Sequence, residues 1–138
     1  MKFLLLIITL SIASFSSLAK EDELYYSKKF CVELWSGKAE EPIYENNKEI
    51  ASVDCLTDTK SIEFGWADRG VYNNIGQSLY YSSKTGMPPA IVLLVNKDMD
   101  KEKIKKSIKK IEVVNEAFDL KIEIILLQIP EGEIIDNE

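Results

Sequence analysis

The sequence predicts an α/β protein, a sandwich of helices around a central mixed sheet, with the element order αβββαβαβ. Three observations lead to this prediction. Strand-like segments follow one another between residues 39 and 66, the continuous apolar run "AIVLLV" follows a helical segment, and a second helical segment precedes the last apolar run, "LKIEIILLQI". A meander followed by strand–helix–strand units builds a mixed sheet with helices packed on it.

The N-terminal segment is predicted to be a secretory signal peptide, residues 1–19. Lys2 precedes an apolar run of about ten residues, and the small residues Ser17-Leu18-Ala19 favour cleavage after Ala19. A membrane anchor is the alternative, although the run is shorter than the ~20 residues that span a bilayer. We therefore expect an exported protein, periplasmic or secreted, with one domain (20–129), an acidic flexible tail (130–138) and no transmembrane segment in the mature chain.

The first half of the domain reads as a helix and three strands. A helix is expected over Glu21–Gly37, because four residues recur at helical spacing: Leu24, Ser27, Cys31 and Leu34. Two strands are expected within Ala39–Cys55, on either side of an Asn-rich turn at Glu45–Lys48. After the turn "LTDTK", the segment Ser61–Trp66 predicts the third strand.

The second half alternates helices and strands. Gly70–Lys84 has helical spacing and stops at Thr85-Gly86, and "AIVLLV" is typical of a buried strand. Asp98 or Asp100 can cap a helix that reaches about Ala117. One face of this helix is predicted to be apolar through four residues: Ile104, Ile108, Ile111 and Phe118. The run Leu120–Ile129 predicts the last strand.

The charge balance is acidic, with a net charge of −6. Such a surface repels phosphate backbones, so a nucleic-acid partner is disfavoured unless a local basic patch exists. Basic residues concentrate in Lys97–Lys110. We interpret this run as a solvated helix face in preference to a binding patch. A protein partner is also open.

The chain contains two cysteines, Cys31 and Cys55, and no histidine. In an exported chain a disulfide between them is favoured over two buried free thiols. The absence of histidine excludes zinc sites that mix Cys with His, and it excludes Ser-His-Asp and Cys-His catalysis. Carboxylates, Lys, Arg, Tyr and amides are left for chemistry.

Two acids stand on the predicted strands that flank the turn Thr57–Lys60. If the strands pair as a hairpin, Asp54 and Glu63 come close to facing each other. Like charges held together are costly unless a cation lies between them, and carboxylate oxygens suit Mg²⁺ or Mn²⁺. The alternative is that both residues simply face solvent.

The following helix carries a polar stripe of Asn73, Gln77 and Tyr81. Together with Asp54 and Glu63, this set resembles the PD-(D/E)XK nuclease superfamily, in particular its exonuclease-type branch with a Gln-x-x-x-Tyr motif. The sequence also resembles a group of small exported bacterial proteins of uncharacterised function. Five segments carry this second resemblance: Phe30-Cys31, Gly37–Glu40, Val53–Thr59, Ile62–Asp68 and Ile75–Leu94.

The resemblance implies a restriction-endonuclease-like fold and a metal-dependent phosphodiesterase that acts on nucleic acid. Asp54 and Glu63 would hold Mg²⁺ or Mn²⁺, with Glu40 as a further carboxylate and no organic cofactor. Gln77 and Tyr81 would position the substrate or brace the site.

The chain departs from the family pattern at two positions. Gly65 stands where the superfamily places a catalytic Lys, and Asn73 stands where relatives tend to carry an acid. Arg69 could stabilise negative charge on a phosphate but cannot act as a general base. A second hypothesis follows from these departures: a catalytically inactive descendant that serves as an exported binding or interaction module, with a partner on Asp100–Ala117 or at Tyr80-Tyr81.

Overall fold

The computed structural model describes the backbone of residues 11–131 and the side chains of residues 23–131. Within this range the chain forms helices and strands in the predicted order. The elements are α1 (Ser11–Trp35), β1 (Lys38–Glu45), β2 (Lys48–Leu56), β3 (Ser61–Trp66), α2 (Val71–Thr85), β4 (Pro89–Val95), α3 (Lys101–Phe118) and β5 (Glu123–Gln128).

The ends of the chain lie mostly outside the described residues. The predicted signal peptide, residues 1–19, lies outside the residues whose side chains are described, and most of the predicted tail, residues 130–138, lies outside them as well. Both stay predictions. Across the described part of the chain, no helix combines the length and the apolar character needed to cross a bilayer.

The five strands form one mixed sheet in the order β1-β2-β3-β4-β5. The first three strands are an antiparallel meander, and β4 and β5 join it in parallel. Parallel neighbours need a crossover connection, and α2 and α3 supply it. The predicted mixed sheet is therefore confirmed.

Helices cover both faces of the sheet. On β3, the Phe64 ring meets the Trp35 ring of α1 at a centroid distance of 6.0 Å, whereas Gly65 abuts Asn74 of α2. Because neighbouring residues of a strand point to opposite faces, α1 and α2 lie on opposite sides of the sheet. Helix α3 packs beside α2 and buries Ile111 in the main core. The architecture is thus an α/β sandwich.

A disulfide joins α1 to β2, and it confirms the predicted pairing. Cys31 and Cys55 are fully buried, and their Cα atoms are 5.4 Å apart. Gly37 packs directly against the bridge, because a Cβ atom at this position would lie 2.6 Å from the Cys55 Sγ. The residue that was expected only to stop the helix also leaves room for the bridge.

Two predicted apolar faces differ in detail. On α1, Leu24 and Leu34 are exposed, and Tyr26 and Phe30 are buried in their place. The Tyr26 ring packs on the Phe30 and Trp66 rings at 5.8 and 6.2 Å, so aromatic packing against β3 sets the orientation of the helix.

On α3, Ile111 is buried and Ile104 and Ile108 pack against the core, but Phe118 is 72% exposed. The helix ends there, and Asp119 adopts a left-handed conformation with φ 51° that redirects the chain. A side chain in this last turn therefore has no sheet beneath it.

Candidate functional site

The candidate site lies where β2 separates from β3. The two strands pair only at Cys55 with Ile62 and at Leu56 with Ser61. Continuing that register would pair Asp54 with Glu63, but the ladder stops there. The Asp54 Oδ2 instead accepts a hydrogen bond of 2.8 Å from the backbone N–H of Phe64. The carboxylate therefore satisfies a donor that a longer ladder would have paired.

The separation of the strands also changes the packing of β2. Strand alternation predicts that Val53 and Cys55 share one face, but the two residues join different clusters. Cys55 lies in the main core with α1, whereas Val53 packs with Ile43 and Tyr81. Once β2 has left β3, its side chains no longer follow the face of the sheet that β3 defines.

The Asp54 and Glu63 carboxyl groups lie close enough to affect each other's ionisation. Glu63 is only 3% exposed, and its Oε2 has no hydrogen-bond partner among the described residues. Burial, and then the negative charge of Asp54, raise the pKa of Glu63 to about 10. Burial also raises the pKa of Asp54 to about 6, against the opposing effect of the Phe64 N–H. Both shifts favour the protonated forms, so burial and mutual repulsion oppose the presence of two negative charges on this pair.

Glu40 is the third acid of this region. The pairs Ala39–Cys55 and Glu41–Val53 flank it, so the register of β1 on β2 places it opposite Asp54. Its backbone is left-handed, with φ 52°, which is uncommon for a residue with a Cβ atom. Its negative charge further raises the pKa of both Asp54 and Glu63. The three predicted metal ligands thus belong to one electrostatic group on three adjacent strands.

These acids nevertheless do not converge into a metal-sized cluster. Among residues 23–131, no three Cys, Asp or Glu side chains lie close enough together to hold a metal ion. The pair of Asp54 and Glu63 is brought into direct contact, and Glu40 acts on it from the neighbouring strand.

The polar stripe of α2 forms a chain of hydrogen bonds. The Asn73 amide donates to the Gln77 Oε1 at 2.9 Å, and the Gln77 Nε2 donates to the Tyr81 hydroxyl at 3.4 Å. The Tyr81 side chain is buried, and burial together with the charges of Glu63 and Asp54 raises its pKa to about 12. Tyr81 therefore lies within electrostatic reach of the acid pair, Gln77 is linked to it through Tyr81, and Asn73 is the exposed end of the chain.

Asn74, which sequence reasoning passed over, fills the space beside Gly65. A Cβ atom on Gly65 would lie 1.9 Å from the Asn74 Nδ2 and 2.6 Å from its Cγ. Asn74 is 6% exposed, and its Nδ2 has no hydrogen-bond partner among the described residues. The amide thus occupies the space beside Gly65, on the same face of β3 as Glu63.

Two sequence signals could have found this contact. A glycine inside a buried strand often marks the close approach of another group. The buried stripe of α2 runs through Val71, Ile75 and Ser78, and that spacing also directs Asn74 toward the sheet.

Arg69 is not brought to the acid pair. Its guanidinium lies over the Trp66 ring at 5.5 Å and pairs with Asp68 at 3.6 Å. It lines a cleft between the start of α2 and α3, and none of the predicted metal ligands lines that cleft.

Comparison with known proteins leaves the family open. The chain matches no protein-family model, no curated protein and no solved structure.

Proposed function

We propose that this chain is an exported binding module built on a restriction-endonuclease-like core, and that it does not hydrolyse phosphodiesters. The observation that carries the proposal is the side chain of Asn74, which occupies the space beside Gly65. The nuclease resemblance requires a Lys side chain at this position to activate or orient water. Neither a glycine nor an amide can supply that charge.

The burial of the Glu63 carboxyl group also argues against phosphodiester hydrolysis. A catalytic metal centre of this kind needs ionised carboxylates, and burial together with the charge of Asp54 raises the pKa of Glu63 to about 10, so a cation would have to displace a proton there. A protonated carboxyl group donates a hydrogen bond and is a poor ligand for a hard cation. In this arrangement the Asp54 carboxylate bridges the gap between β2 and β3 through the Phe64 N–H.

The residues present do not fit a resident Mg²⁺ or Mn²⁺ in this arrangement. Asp54 and Glu63 provide two neighbouring carboxyl groups, and no third acid among the described residues completes the group. Asn74, on the same face, adds an amide group but no negative charge.

One observation favours a second candidate function, a metal-dependent phosphodiesterase. The Glu63 Oε2 is a buried acceptor without a partner among the described residues, and a bound cation would satisfy it. Asp54 and Glu63 would then hold the ion, with Glu40 near them. Gln77 and Tyr81 would brace the site.

Metal binding and cleavage separate the two candidates. Mn²⁺ is titrated by calorimetry into the purified protein, and single- and double-stranded DNA and RNA are tested for cleavage. The binding-module proposal expects no saturable heat at about 1 mM Mn²⁺, weaker than about 4 kcal/mol of binding free energy, and no cleavage. Cleavage that is lost in Asp54→Asn but kept in Asp58→Asn, an exposed turn acid, would overturn it.

A further inference from the structure

A positively charged cleft lies between the start of α2 and α3. It encloses about 310 Å³ and is lined by four cationic side chains: Arg69, Lys103, Lys106 and Lys110. Asp68 is its only acid, and Asp68 is already paired with Arg69 at 3.6 Å. The cleft is thus a concentrated positive region in a chain whose net charge is −6.

The lysines of the cleft differ from the other lysines of the same helix. On the adjacent face of α3, Lys105 pairs with Glu102 at 2.9 Å and Lys109 pairs with Glu112 at 3.5 Å. Within residues 23–131, no acid forms such a pair with the three lysines that line the cleft. Three neighbouring like charges repel one another, and a bound anion would remove that cost.

The N-terminus of α2 adds to the positive potential. Gly70, the N-cap, has φ 70° and provides no side-chain cap, and the first turn contains no acidic residue. Unpaired N–H groups at a helix N-terminus attract anions, and phosphate in particular. Both walls of the cleft therefore favour the same kind of ligand.

An aromatic ring stands at the edge of the cleft. Tyr72 is 65% exposed, and the Lys110 Nζ lies 4.7 Å from its ring centroid. An exposed tyrosine beside several cations suits a ligand that joins a planar group to anionic groups.

We propose that this cleft binds a small ligand that carries phosphate groups on an aromatic body, a nucleoside diphosphate being the simplest example. Its phosphate groups lie between Arg69 and the lysines of α3, and its planar part lies on Tyr72. The limited volume favours the end of a small molecule over an extended polyanion, which the acidic remainder of the surface would repel. This assignment rests on the proposed function, because it names the ligand of the binding module.

The test is calorimetry of ADP and inorganic pyrophosphate with the purified protein, in the presence of a metal chelator. In the variant with Lys103→Gln and Lys106→Gln, both ligands should bind about tenfold more weakly. The matched control with Lys105→Gln and Lys109→Gln removes the same charge from the same helix and should bind within about twofold of wild type. Tyr72→Ala should weaken ADP by at least about fivefold and leave pyrophosphate unchanged.

Several outcomes would overturn the assignment. They are no ADP binding at about 1 mM, an equal loss in both lysine pairs, and tighter, strongly salt-dependent binding of a single-stranded oligonucleotide. These outcomes differ from a failure of the proposed function. That failure would appear as Mn²⁺-dependent cleavage of nucleic acid, and the variants of the cleft lysines would cleave as well.

Discussion

Replacing Glu63 with Gln tests whether the acid pair holds a proton or a cation. Glutamine has the shape of a protonated glutamic acid, and its amide can donate to Asp54 as a protonated carboxyl group would. The substitution removes the one carboxyl group of the pair whose ionisation the fold opposes most strongly. We therefore expect Glu63→Gln to stabilise the protein at neutral pH.

The magnitude follows from the pKa of Glu63, which folding raises from 4.5 to about 10. Between these values the folded protein binds more protons than the unfolded chain, so the free energy of unfolding falls as the pH rises. The fall is about 1.4 kcal/mol per pH unit. At pH 7 the free energy of unfolding of the wild type is therefore about 3 kcal/mol lower than at low pH, a loss that Glu63→Gln does not have. At pH 5 the corresponding loss is less than about 1 kcal/mol.

Urea unfolding followed by tryptophan fluorescence measures this difference. Trp66 is buried in the main core and Trp35 packs against that core, so both report on global unfolding. The range from pH 6.5 to about 9 is informative, because the chain has no histidine and the pKa of Asp54, about 6, lies below it. Glu116→Gln, at an exposed position of α3, controls for the loss of charge.

The reasoning is refuted if the stability difference between Glu63→Gln and wild type does not grow with pH. It is also refuted if the substitution destabilises the protein at pH 7. A stabilisation of wild type by Mn²⁺ that Glu63→Gln lacks would instead assign the pair to a metal site.

Three further predictions concern packing and covalent structure. Gly76→Ala should raise the free energy of unfolding by about 0.5–1 kcal/mol in chemical denaturation, because Gly76 lies inside α2 and a Cβ there meets no atom within 4 Å. Gly65→Ala should cost about 1–3 kcal/mol, and adding Asn74→Ala should recover part of that loss in a double-mutant cycle; strictly additive effects would contradict the contact. Replacing Cys31 and Cys55 with Ser should lower stability by about 3 kcal/mol, given their separation of 24 residues, and an unchanged urea midpoint would be the contrary result.

Much of the fold could be predicted because its signals are local. The boundary of α2 at Gly86 depends on a residue that tolerates φ 72°, and the start of α3 depends on Asp100, whose side chain accepts a hydrogen bond of 2.8 Å from the Glu102 N–H. Each of these signals involves residues within a few positions of one another. The choice between Asp98 and Asp100 as the cap was open in the sequence, and the structure selects Asp100.

The candidate site could be predicted only in part. A hairpin register brings Asp54 near Glu63 without knowledge of the rest of the fold, and the structure has the two in contact. The separation from β3 of the part of β2 that precedes Cys55 is different, because it depends on how each strand packs on its helices. At the same place the Asp54 carboxylate accepts a hydrogen bond from the Phe64 N–H, and Glu63 is buried.

Residue order alone determined the succession of helices and strands, and two cysteines in a chain predicted to be exported were enough to favour a disulfide. Only the tertiary structure decided that Asn74 fills the space beside Gly65, and that Arg69 lies in a cleft with the lysines of α3 and not with the acids. The physical reason is the range of the forces involved. Periodicity and capping act within a few residues, whereas these contacts depend on the angle and the rotation at which separate helices pack on the sheet.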